Sequence, residues 1–201
     1  MANRPNTEER RAQIVHGLLL AIAEHGYAKA TIQIIARKAG IAPGLVHYHF
    51  TAKAEILVEL VKTLAEIFRA RYTTLAASAV SPEDHLFAYV NARLAKGVGE
   101  NPAVVGAWVM IGSEAVRMPE VQMIYQQAIG AELALLKELL AAYLTSIGKP
   151  LNSVDHLAAS IISLMEGAFQ IAVGAPDVMP TGYAATTTIQ LIKRYVGAEP
   201  N

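Results

Sequence analysis

The chain of 201 residues contains no cysteine and carries no formal net charge, because 17 Lys and Arg balance 17 Asp and Glu. Without cysteine it forms neither disulfide bonds nor Cys-ligated zinc sites, iron–sulfur clusters or thiol-based active sites. Hydrophobic residues make up 53% of the chain and charged residues only 17%, which argues against disorder and provides for a sizeable core. A balanced charge also argues against a nucleic-acid partner, provided that the charges are evenly spread.

The charges are separated along the chain. Residues 1–53 contain seven Lys and Arg against three Glu, whereas the remaining residues contain ten basic and fourteen acidic side chains. The first segment therefore carries a formal charge of +4 and the rest −4. This asymmetry favours a surface for a polyanion in the N-terminal segment.

Membrane-spanning and leader segments are not expected, since no uninterrupted apolar run reaches the roughly 18 residues that a membrane span requires. Arg10-Arg11 and the apolar stretch after it resemble a twin-arginine signal peptide. Two acids beside the arginines and a histidine inside the stretch are untypical of such a leader. The apolar positions instead recur at helical spacing, at Ile14, Leu18, Ala21 and Ile22. We therefore expect a cytoplasmic protein.

Strand patterns are missing as well, and the 35 alanines favour helices. Caps and breakers predict an all-α fold of about nine helices. In chain order, the first four predicted helices span 7–25, span 31–40, begin at Ala42-Pro43, and run from after Phe50 to 77. The next two run from Ser81 to Gly97 or Gly99 and from Asn101-Pro102 to before Pro119. The last three span 120–146, run from Asn152 or Ser153 to 174, and run from Thr181 to 197. Asn6 is the candidate N-cap of the first helix.

Two short helices joined by a Gly-containing turn lie inside the basic segment, which is the pattern of a helix-turn-helix. The second helix has an apolar face around Ile35 and Ala36, and Gly40 can adopt the positive φ that such a turn needs. Ile41 and Val46 would hold the turn and the third helix on the core. The outer side of the third helix then presents Pro43, Leu45, His47 and Tyr48 to bases and phosphates.

The stretch from Thr31 to Phe50, with Lys53 and Glu55-Ile56-Leu57 after it, resembles the DNA-binding domain of TetR-type transcriptional regulators. The resemblance covers about residues 7–60. It implies a ligand-responsive repressor, a homodimer that binds a palindromic operator and is released by a small-molecule effector. It also implies two domains, a helix-turn-helix DNA-binding domain over 1–53 and an effector-binding and dimerisation domain over 54–201.

The resemblance also implies roles for individual residues. Thr31 would cap the second helix and touch a phosphate, Gly44 would allow a close approach to the DNA backbone, and Lys53 would meet a phosphate. Two positions depart from the family pattern: Ala42 lacks the usual capping side chain, and Leu45 can contact a thymine methyl but cannot hydrogen-bond a base. The full set of expected DNA-binding residues is Thr31, Gln33, Pro43, Gly44, Leu45, His47, Tyr48 and Lys53.

The C-terminal region has two interpretations, ordinary core or a Met- and aromatic-lined effector pocket. Burial of Glu114 and Glu166 would favour a cationic effector, which Trp108 could also attract through its ring. The candidate effector-binding residues are Trp108, Ile111, Glu114, Tyr125, Met165, Glu166 and Phe169. The eighth helix has an apolar stripe too wide for one small core, which favours a dimer interface with the ninth helix.

Several functions are disfavoured. His47 and His49 are two positions apart on a helix and do not face each other, so no metal site is expected. Known catalytic motifs are missing, so neither an enzyme nor a cofactor is expected. Two alternatives remain, an effector-dependent activator of the same architecture and a dimeric small-molecule-binding module without DNA binding. The effector, the operator and the target genes are left open.

Overall fold

The computed structural model describes residues 7–95 and 102–197, and the regular structure of these residues is nine helices and no strands. The predicted all-α class is confirmed. The helices are α1 (Thr7–Lys29), α2 (Ile32–Ala39), α3 (Pro43–His49), α4 (Lys53–Ala76), α5 (Pro82–Leu94), α6 (Pro102–Ala115), α7 (Pro119–Ser146), α8 (Val154–Gly174) and α9 (Tyr183–Gly197).

The predicted helix ends agree with these bounds to within a few residues. The predicted Asn6 cap and the Asn101 start of α6 lie outside the described residues. Helix α5 ends at Leu94, before the predicted Gly97 or Gly99, which also lie outside them. Its end is set by an extended Ala95, whose carbonyl accepts a hydrogen bond from the Arg71 guanidinium.

The chain divides into two compact units. Unit 1 consists of the described residues within Met1–Ala65 and Asn101–Ala128, and unit 2 of those within Glu66–Glu100 and Ile129–Asn201. Helices α4 and α7 contribute residues to both. The packing thus groups α6 with the N-terminal helices, whereas the predicted functional division at residue 53 stays a prediction.

Unit 1 is organised around α1, which packs against α2, α3 and α6. Gly17 is the point where α1 approaches α2 most closely, since a Cβ there would lie 2.7 Å from the Ile35 carbonyl oxygen and 2.9 Å from the Ala39 Cβ. Such a distance is shorter than van der Waals contact, so the approach requires a glycine. The helical path is interrupted at Gly26, with φ 75° and ψ 163°, before a last turn that buries Tyr27.

Unit 2 is built from α5, α8 and α9, which pack against one another, and from the second parts of α4 and α7. Helix α5 begins with a complete capping box, in which the Ser81 hydroxyl accepts from the Asp84 N–H at 3.1 Å and the Asp84 carboxylate accepts from the Ser81 N–H at 3.0 Å. Pro82 occupies the first turn, where its missing N–H costs nothing.

Helix α8 buries its apolar stripe inside unit 2, through Val154, Leu157, Ala158, Ile161, Ile162, Met165 and Phe169. The stripe is covered only in part, since Ala168 is half-buried and Ala172 is exposed. The opposite face, with Ser160, Ser163 and Gly167, is exposed.

Among the described helices, α8 is also the one long and apolar enough to cross a membrane by length and composition. The core helix of a soluble protein passes the same test. In α8 a third of the apolar window is buried, and the buried positions pack against α5 and α9.

Candidate DNA-binding surface and candidate effector site

The turn between α2 and α3 has the predicted chemistry. The Thr31 hydroxyl caps α2 by accepting a hydrogen bond from the Ile34 N–H at 3.3 Å. Gly40 adopts the left-handed conformation, with φ 65° and ψ 32°, and the Ile41 N–H returns to the Ala36 carbonyl at 3.0 Å. This closure redirects the chain into α3 within three residues.

Helix α3 is anchored by one buried residue and presents the rest outward. Val46 is fully buried, whereas Tyr48 is 80% and Leu45 40% exposed. As predicted, Ala42 precedes the helix without a side-chain cap, and Pro43 takes the first position. Within unit 1, the surface around α3 includes seven of the eight predicted DNA-binding residues, all exposed: Thr31, Gln33, Pro43, Gly44, Leu45, His47 and Tyr48.

Arg11 of α1 holds the carboxyl end of α3. Its Nη1 donates to the His49 carbonyl at 2.7 Å, and its guanidinium lies 4.0 Å from the centroid of the Phe50 ring. Glu55 and Glu59, at the start of α4, approach the same guanidinium at 3.6 and 3.9 Å. One side chain thereby joins α1, the end of α3 and α4, and so fixes the orientation of the exposed face of α3. We call this arrangement the Arg11 lock.

A second contact from α1 fixes the end of α2. The Gln13 amide donates to the Ala39 carbonyl at 2.6 Å, and Arg10 donates to the Gln13 side chain at 2.7 Å. Neither these contacts nor the Arg11 lock was predicted from the sequence. For Arg11 a signal was present in the two acids one and two turns into α4, Glu55 and Glu59, which an arginine of a neighbouring helix can reach.

Lys53, the eighth predicted DNA-binding residue, is half-buried against α1. Its Nζ donates to the Tyr27 carbonyl at 2.9 Å and lies 4.0 Å from the centroid of the Tyr27 ring. Burial lowers the pKa of Lys53 below its ordinary value, and the negative charges of Glu120 and Glu114 offset part of that lowering. An ammonium group has three donors, so the bond to Tyr27 leaves donors for a phosphate.

The candidate effector residues divide between the two units. In unit 1, Trp108 and Tyr125 pack with ring centroids 5.1 Å apart, and Ile111 is fully buried. Glu114 is also buried, and its carboxylate lies 3.7 Å from the Arg117 guanidinium. The sequence left open how Glu114 would be compensated, and the structure pairs it with Arg117.

In unit 2, Met165 and Phe169 are buried, and Glu166 lies beside them on the same face of α8. Glu166 and Phe169 are near a buried arginine that the sequence did not single out. Arg93 of α5 has a side chain only 3% exposed. Its surroundings could not be read from local spacing, because the neighbouring side chains come from three other helices.

The surroundings of Arg93 form an aromatic and acidic enclosure, which we call the Arg93 box. The guanidinium lies 4.1 Å from the Phe68 ring centroid and 5.3 Å from that of Phe169. Glu132 and Glu166 each approach it at 3.8 Å. These separations allow charge attraction but exceed hydrogen-bond distance, and the buried Arg93 Nε has no hydrogen-bond partner.

A small recess opens beside this box. It is lined by Phe68, Arg69, Tyr72, Tyr89, Ala92, Arg93, Glu132 and Leu135. The Tyr89 hydroxyl donates to Glu132 at 2.8 Å, and burial together with the Glu132 charge raises the pKa of Tyr89, which keeps this donor protonated. The recess is mostly open to solvent, and its enclosed space has room for about one water molecule at most.

No group of three or more potential metal ligands occurs among the described residues. His47 is exposed on α3, and His49 packs edge-on against Tyr48 with ring centroids 5.0 Å apart.

The capped turn, the exposed face of α3 and its fixation by α1 define a helix-turn-helix DNA-binding domain. Residues 14–60 match the sequence model of the family described as bacterial regulatory proteins, tetR family. Residues 14–60 therefore carry a helix-turn-helix of the tetR-family type, which agrees with the names of the relatives as transcriptional regulators.

Individual relatives are distant. The chain is 24% identical over 163 residues to the HTH-type transcriptional regulator BetI of Rhizobium meliloti, a match that covers 80% of this chain and 76% of that protein. Matches to other regulators named BetI cover 56–61% of their length.

Solved structures of low identity share the fold. A TetR transcription regulator from Haloarcula marismortui superposes with a TM-score of 0.74 at 24% identity, over 94% of this chain and 97% of that one. A regulator from Saccharomonospora viridis, crystallised in complex with choline, superposes with a TM-score of 0.72 at 19% identity, over 94% and 96%.

Proposed function

We propose that the chain is a ligand-responsive transcriptional repressor, a cytoplasmic homodimer that binds a palindromic operator through α3 and is released by a small-molecule effector. It is not an enzyme in this proposal. The observation that carries it is the exposed face of α3, which the Arg11 lock holds in one orientation. Exposed apolar and aromatic side chains on a rigid short helix suit contacts with base edges in a major groove.

The proposed contacts with the groove and with the DNA backbone are assigned by side-chain chemistry. Leu45, His47 and Tyr48 face outward and would contact the groove, while Thr31, Gln33 and Lys53 would contact the backbone. Pro43 and Gly44 place the start of α3 close to the DNA, since nothing within 4 Å blocks the Gly44 side of the helix. Phosphate contacts set affinity and salt dependence, whereas base contacts set specificity.

Binding to labelled DNA from upstream of its own gene, followed by fluorescence anisotropy, tests this proposal. We expect Tyr48→Ala to weaken binding by about tenfold or more without changing the salt dependence, because the lost contact is uncharged. The matched control is Val80→Ala, which removes an exposed apolar side chain from the segment before α5, outside the proposed DNA-binding and dimer faces. Equal binding by the two variants would contradict the assignment of α3 as the reading helix.

The same assay separates the two possible roles of Lys53. As a phosphate contact, Lys53→Met should reduce the slope of log affinity against log salt by about 0.9. Lys62→Met on the same helix is the control, since Lys62 is exposed and pairs with Glu59 at 3.1 Å. If Lys53→Met lowers stability but leaves the slope of log affinity against log salt unchanged, the role of Lys53 is its structural contact with Tyr27.

The dimer is proposed to form through the exposed faces of α8 and α9. These faces carry apolar residues that unit 2 leaves uncovered, Ile171, Val173, Leu191 and Tyr195. Small residues on the exposed face of α8 allow a second helix to approach closely. Light scattering at micromolar concentration should give twice the chain mass, and a stable monomer would contradict the dimer.

The effector is proposed to be cationic. Two partly enclosed acids, Glu114 beside Arg117 and Glu166 beside Arg93, and the choline bound by the Saccharomonospora viridis protein support this proposal. Choline and its neutral isostere 3,3-dimethylbutan-1-ol, added to the operator complex, distinguish charge from shape. We expect choline alone to lower operator affinity; release by both compounds would argue against a charge-dependent site. An increase in operator affinity would indicate the activator alternative.

A further inference from the structure

The outward face of α3 has little of the chemistry that usually identifies bases. Arg and Lys read guanine, Asn and Gln read adenine, and Asp and Glu read cytosine, through hydrogen bonds to base edges in the major groove. The seven residues of α3 include none of these six types and no Ser or Thr. The outward face instead presents Leu45, which is 40% exposed, Tyr48, which is 80% exposed, and His47. Readout by α3 therefore depends largely on something other than paired hydrogen bonds.

The exposed basic and amide side chains before the turn belong to α2. Gln33 and Arg37 are exposed on that helix, and Arg37 lies in its last turn. In a helix-turn-helix, the first of the two helices crosses the sugar-phosphate backbone while the second enters the major groove. Contacts from Gln33 and Arg37 therefore fall on the backbone, where they position the protein without identifying bases.

Leu45 and Tyr48 form one apolar surface, which we call the Leu45 patch. Residues three apart on a helix are neighbours, so the Leu45 side chain lies beside the Tyr48 ring, whereas His47 lies on the other flank. His49 packs edge-on against the Tyr48 ring, with an angle of 90° and centroids 5.0 Å apart. This contact and the full burial of Val46 set the direction in which the patch faces.

The start of α3 leaves the patch free to approach a base pair. A Cβ added at Gly44, one position before Leu45, would meet no atom of the described residues within 4 Å. Ala42, which precedes the helix, ends in a single methyl group, and Pro43 is compact. Leu45 is therefore the first long side chain of α3, and it can reach farther into a groove than the residues before it.

An apolar surface in the major groove can recognise one feature of the bases, the C5 methyl group of thymine. Covering that methyl group with a leucine removes two apolar surfaces from water, which is favourable. The other three bases present donors and acceptors in the groove without a methyl group. Covering these polar atoms with an apolar side chain costs free energy, because their hydrogen bonds to water are lost. The Leu45 patch therefore favours thymine over the other bases.

We propose that the Leu45 patch reads a thymine methyl group, so that each operator half-site carries a T·A pair at the position that faces Leu45. This inference rests on the proposed function, since it requires that α3 enters the major groove of an operator. It adds that Leu45 is a specificity-determining residue and names the group on the DNA that it recognises. In the proposed dimer, the same methyl contact occurs once in each half-site.

Replacing thymine by uracil removes this methyl group and leaves the base-pairing edge unchanged. The probe is labelled DNA from upstream of the protein's own gene, amplified with dTTP or with dUTP, and fluorescence anisotropy measures its binding to the full-length protein. Burial of one methyl group corresponds to about fourfold in affinity, so one in each half-site corresponds to about tenfold or more. We expect the wild type to bind uracil DNA weaker by that factor. Equal affinity for the two DNAs would overturn the inference.

A pair of matched variants separates the methyl contact from any effect of uracil on DNA shape. Leu45→Asn removes the apolar end of the side chain, so the ratio of affinities for thymine and uracil DNA should fall to about twofold or less. Leu75→Asn is the control, because Leu75 is 42% exposed near the end of α4, outside the surfaces proposed for DNA and for the dimer. It should keep the wild-type ratio. A wild-type ratio in Leu45→Asn would assign the loss to DNA shape and overturn the inference.

Two further variants keep the test decisive. Tyr48→Phe removes the hydroxyl group and keeps the ring, so it should keep the wild-type ratio of affinities for thymine and uracil DNA. Loss of the ratio in this variant would make the hydroxyl group the source of the preference and overturn the methyl contact. If Leu45→Asn melts at a lower temperature than the wild type, Leu45→Ala takes its place. Its shorter side chain should give a ratio clearly below that of the wild type, and an unchanged ratio would overturn the inference.

Operators selected from a random DNA library give a readout that does not depend on the neighbouring gene. Selection by the wild type should return a T·A pair at one symmetric position of both half-sites, and its absence would overturn the inference. The selected DNA also replaces the upstream DNA as the probe if the latter is not bound. Failure to bind either DNA would overturn the proposed function as well. Specific binding with equal affinity for thymine and uracil DNA would overturn the methyl contact alone.

Discussion

Units 1 and 2 each hold an arginine on a phenyl ring between two glutamates, yet the two arrangements differ in what else the arginine does. Arg11 lies 4.0 Å from the Phe50 ring and donates to the His49 carbonyl, with its side chain 31% exposed. Arg93 lies 4.1 Å from the Phe68 ring with its side chain 3% exposed, and its Nε donates to nothing. The same residue types therefore give a guanidinium positioned by a backbone hydrogen bond in unit 1 and one held by charge and ring contacts in unit 2.

The difference follows from hydrogen bonding rather than from charge. A directed bond to a backbone carbonyl sets the position of the guanidinium, and through it the end of α3. The ion pairs of Arg93 lie beyond hydrogen-bond distance, and neither these pairs nor the ring faces fix the orientation of its guanidinium. When Arg93 is absent, another cation of similar size can therefore make the same contacts.

The largest expected effect is the loss of Arg93. Arg93→Ala leaves two partly buried carboxylates without their cation, and breaking a buried pair costs about 3–5 kcal/mol. We expect the Tm to fall by about 10 °C in thermal melts followed by circular dichroism. Arg11→Ala should lower the Tm clearly less, because Arg11 is half-exposed and its ion pairs are screened by solvent. An equal loss in the two variants would contradict the distinction between them.

A second prediction concerns the Arg11 lock. Arg11→Lys keeps the charge but cannot reach the His49 carbonyl, the Phe50 ring and two acids in the same geometry. We expect operator affinity to fall about tenfold while the salt dependence stays that of the wild type, because Arg11 positions α3 and meets no phosphate. Fluorescence anisotropy at several salt concentrations measures both. A reduced slope would instead make Arg11 a phosphate contact.

The smallest expected effects concern helix caps, which also differ between the units. In unit 1, Ala42 gives α3 no cap, so Ala42→Ser should raise the Tm by about 2–4 °C. In unit 2, Asp84→Asn should lower it by at most a similar amount, since a neutral amide oxygen replaces the charged acceptor in the capping box of α5. An unchanged Tm in both variants would show that these caps do not limit stability.

The Asp84 contribution should depend on pH. The Ser81 hydroxyl and the Val80 N–H lower the pKa of Asp84 below its ordinary value. A carboxyl with a lowered pKa stabilises the folded state above its unfolded pKa and loses that contribution as the pH falls through the folded pKa. The Tm difference between wild type and Asp84→Asn should therefore be full at neutral pH and vanish in strong acid. A constant difference would exclude the carboxylate as its source.

The sequence predicted those features that depend on local chemistry. The cap at Thr31, the left-handed Gly40 and the uncapped Ala42 follow from residue type at helix ends, and each prediction agrees with the structure. The exposed face of α3 followed from the buried position of Val46 and helical spacing.

Features that depend on contacts between distant segments were not predictable in this way. The Arg11 bond spans 38 positions, and the Arg93 box combines residues of α4, α5, α7 and α8. The packing also divides the apolar residues of α8, since Val154 to Phe169 include the buried positions whereas Ile171 and Val173 are exposed. Periodicity shows which face of a helix is apolar, but it does not show what covers that face.

The most direct test of the central distinction compares the two arginines under rescue. Thermal melts of Arg93→Ala and Arg11→Ala are recorded with ethylguanidinium and with N-ethylurea at equal concentrations. We expect ethylguanidinium to raise the Tm of Arg93→Ala and not that of Arg11→Ala. The Arg11 guanidinium is positioned by its hydrogen bond to the His49 carbonyl, and a free cation in that half-exposed site would not keep this bond. Equal stabilisation of both variants, or of neither, would contradict it.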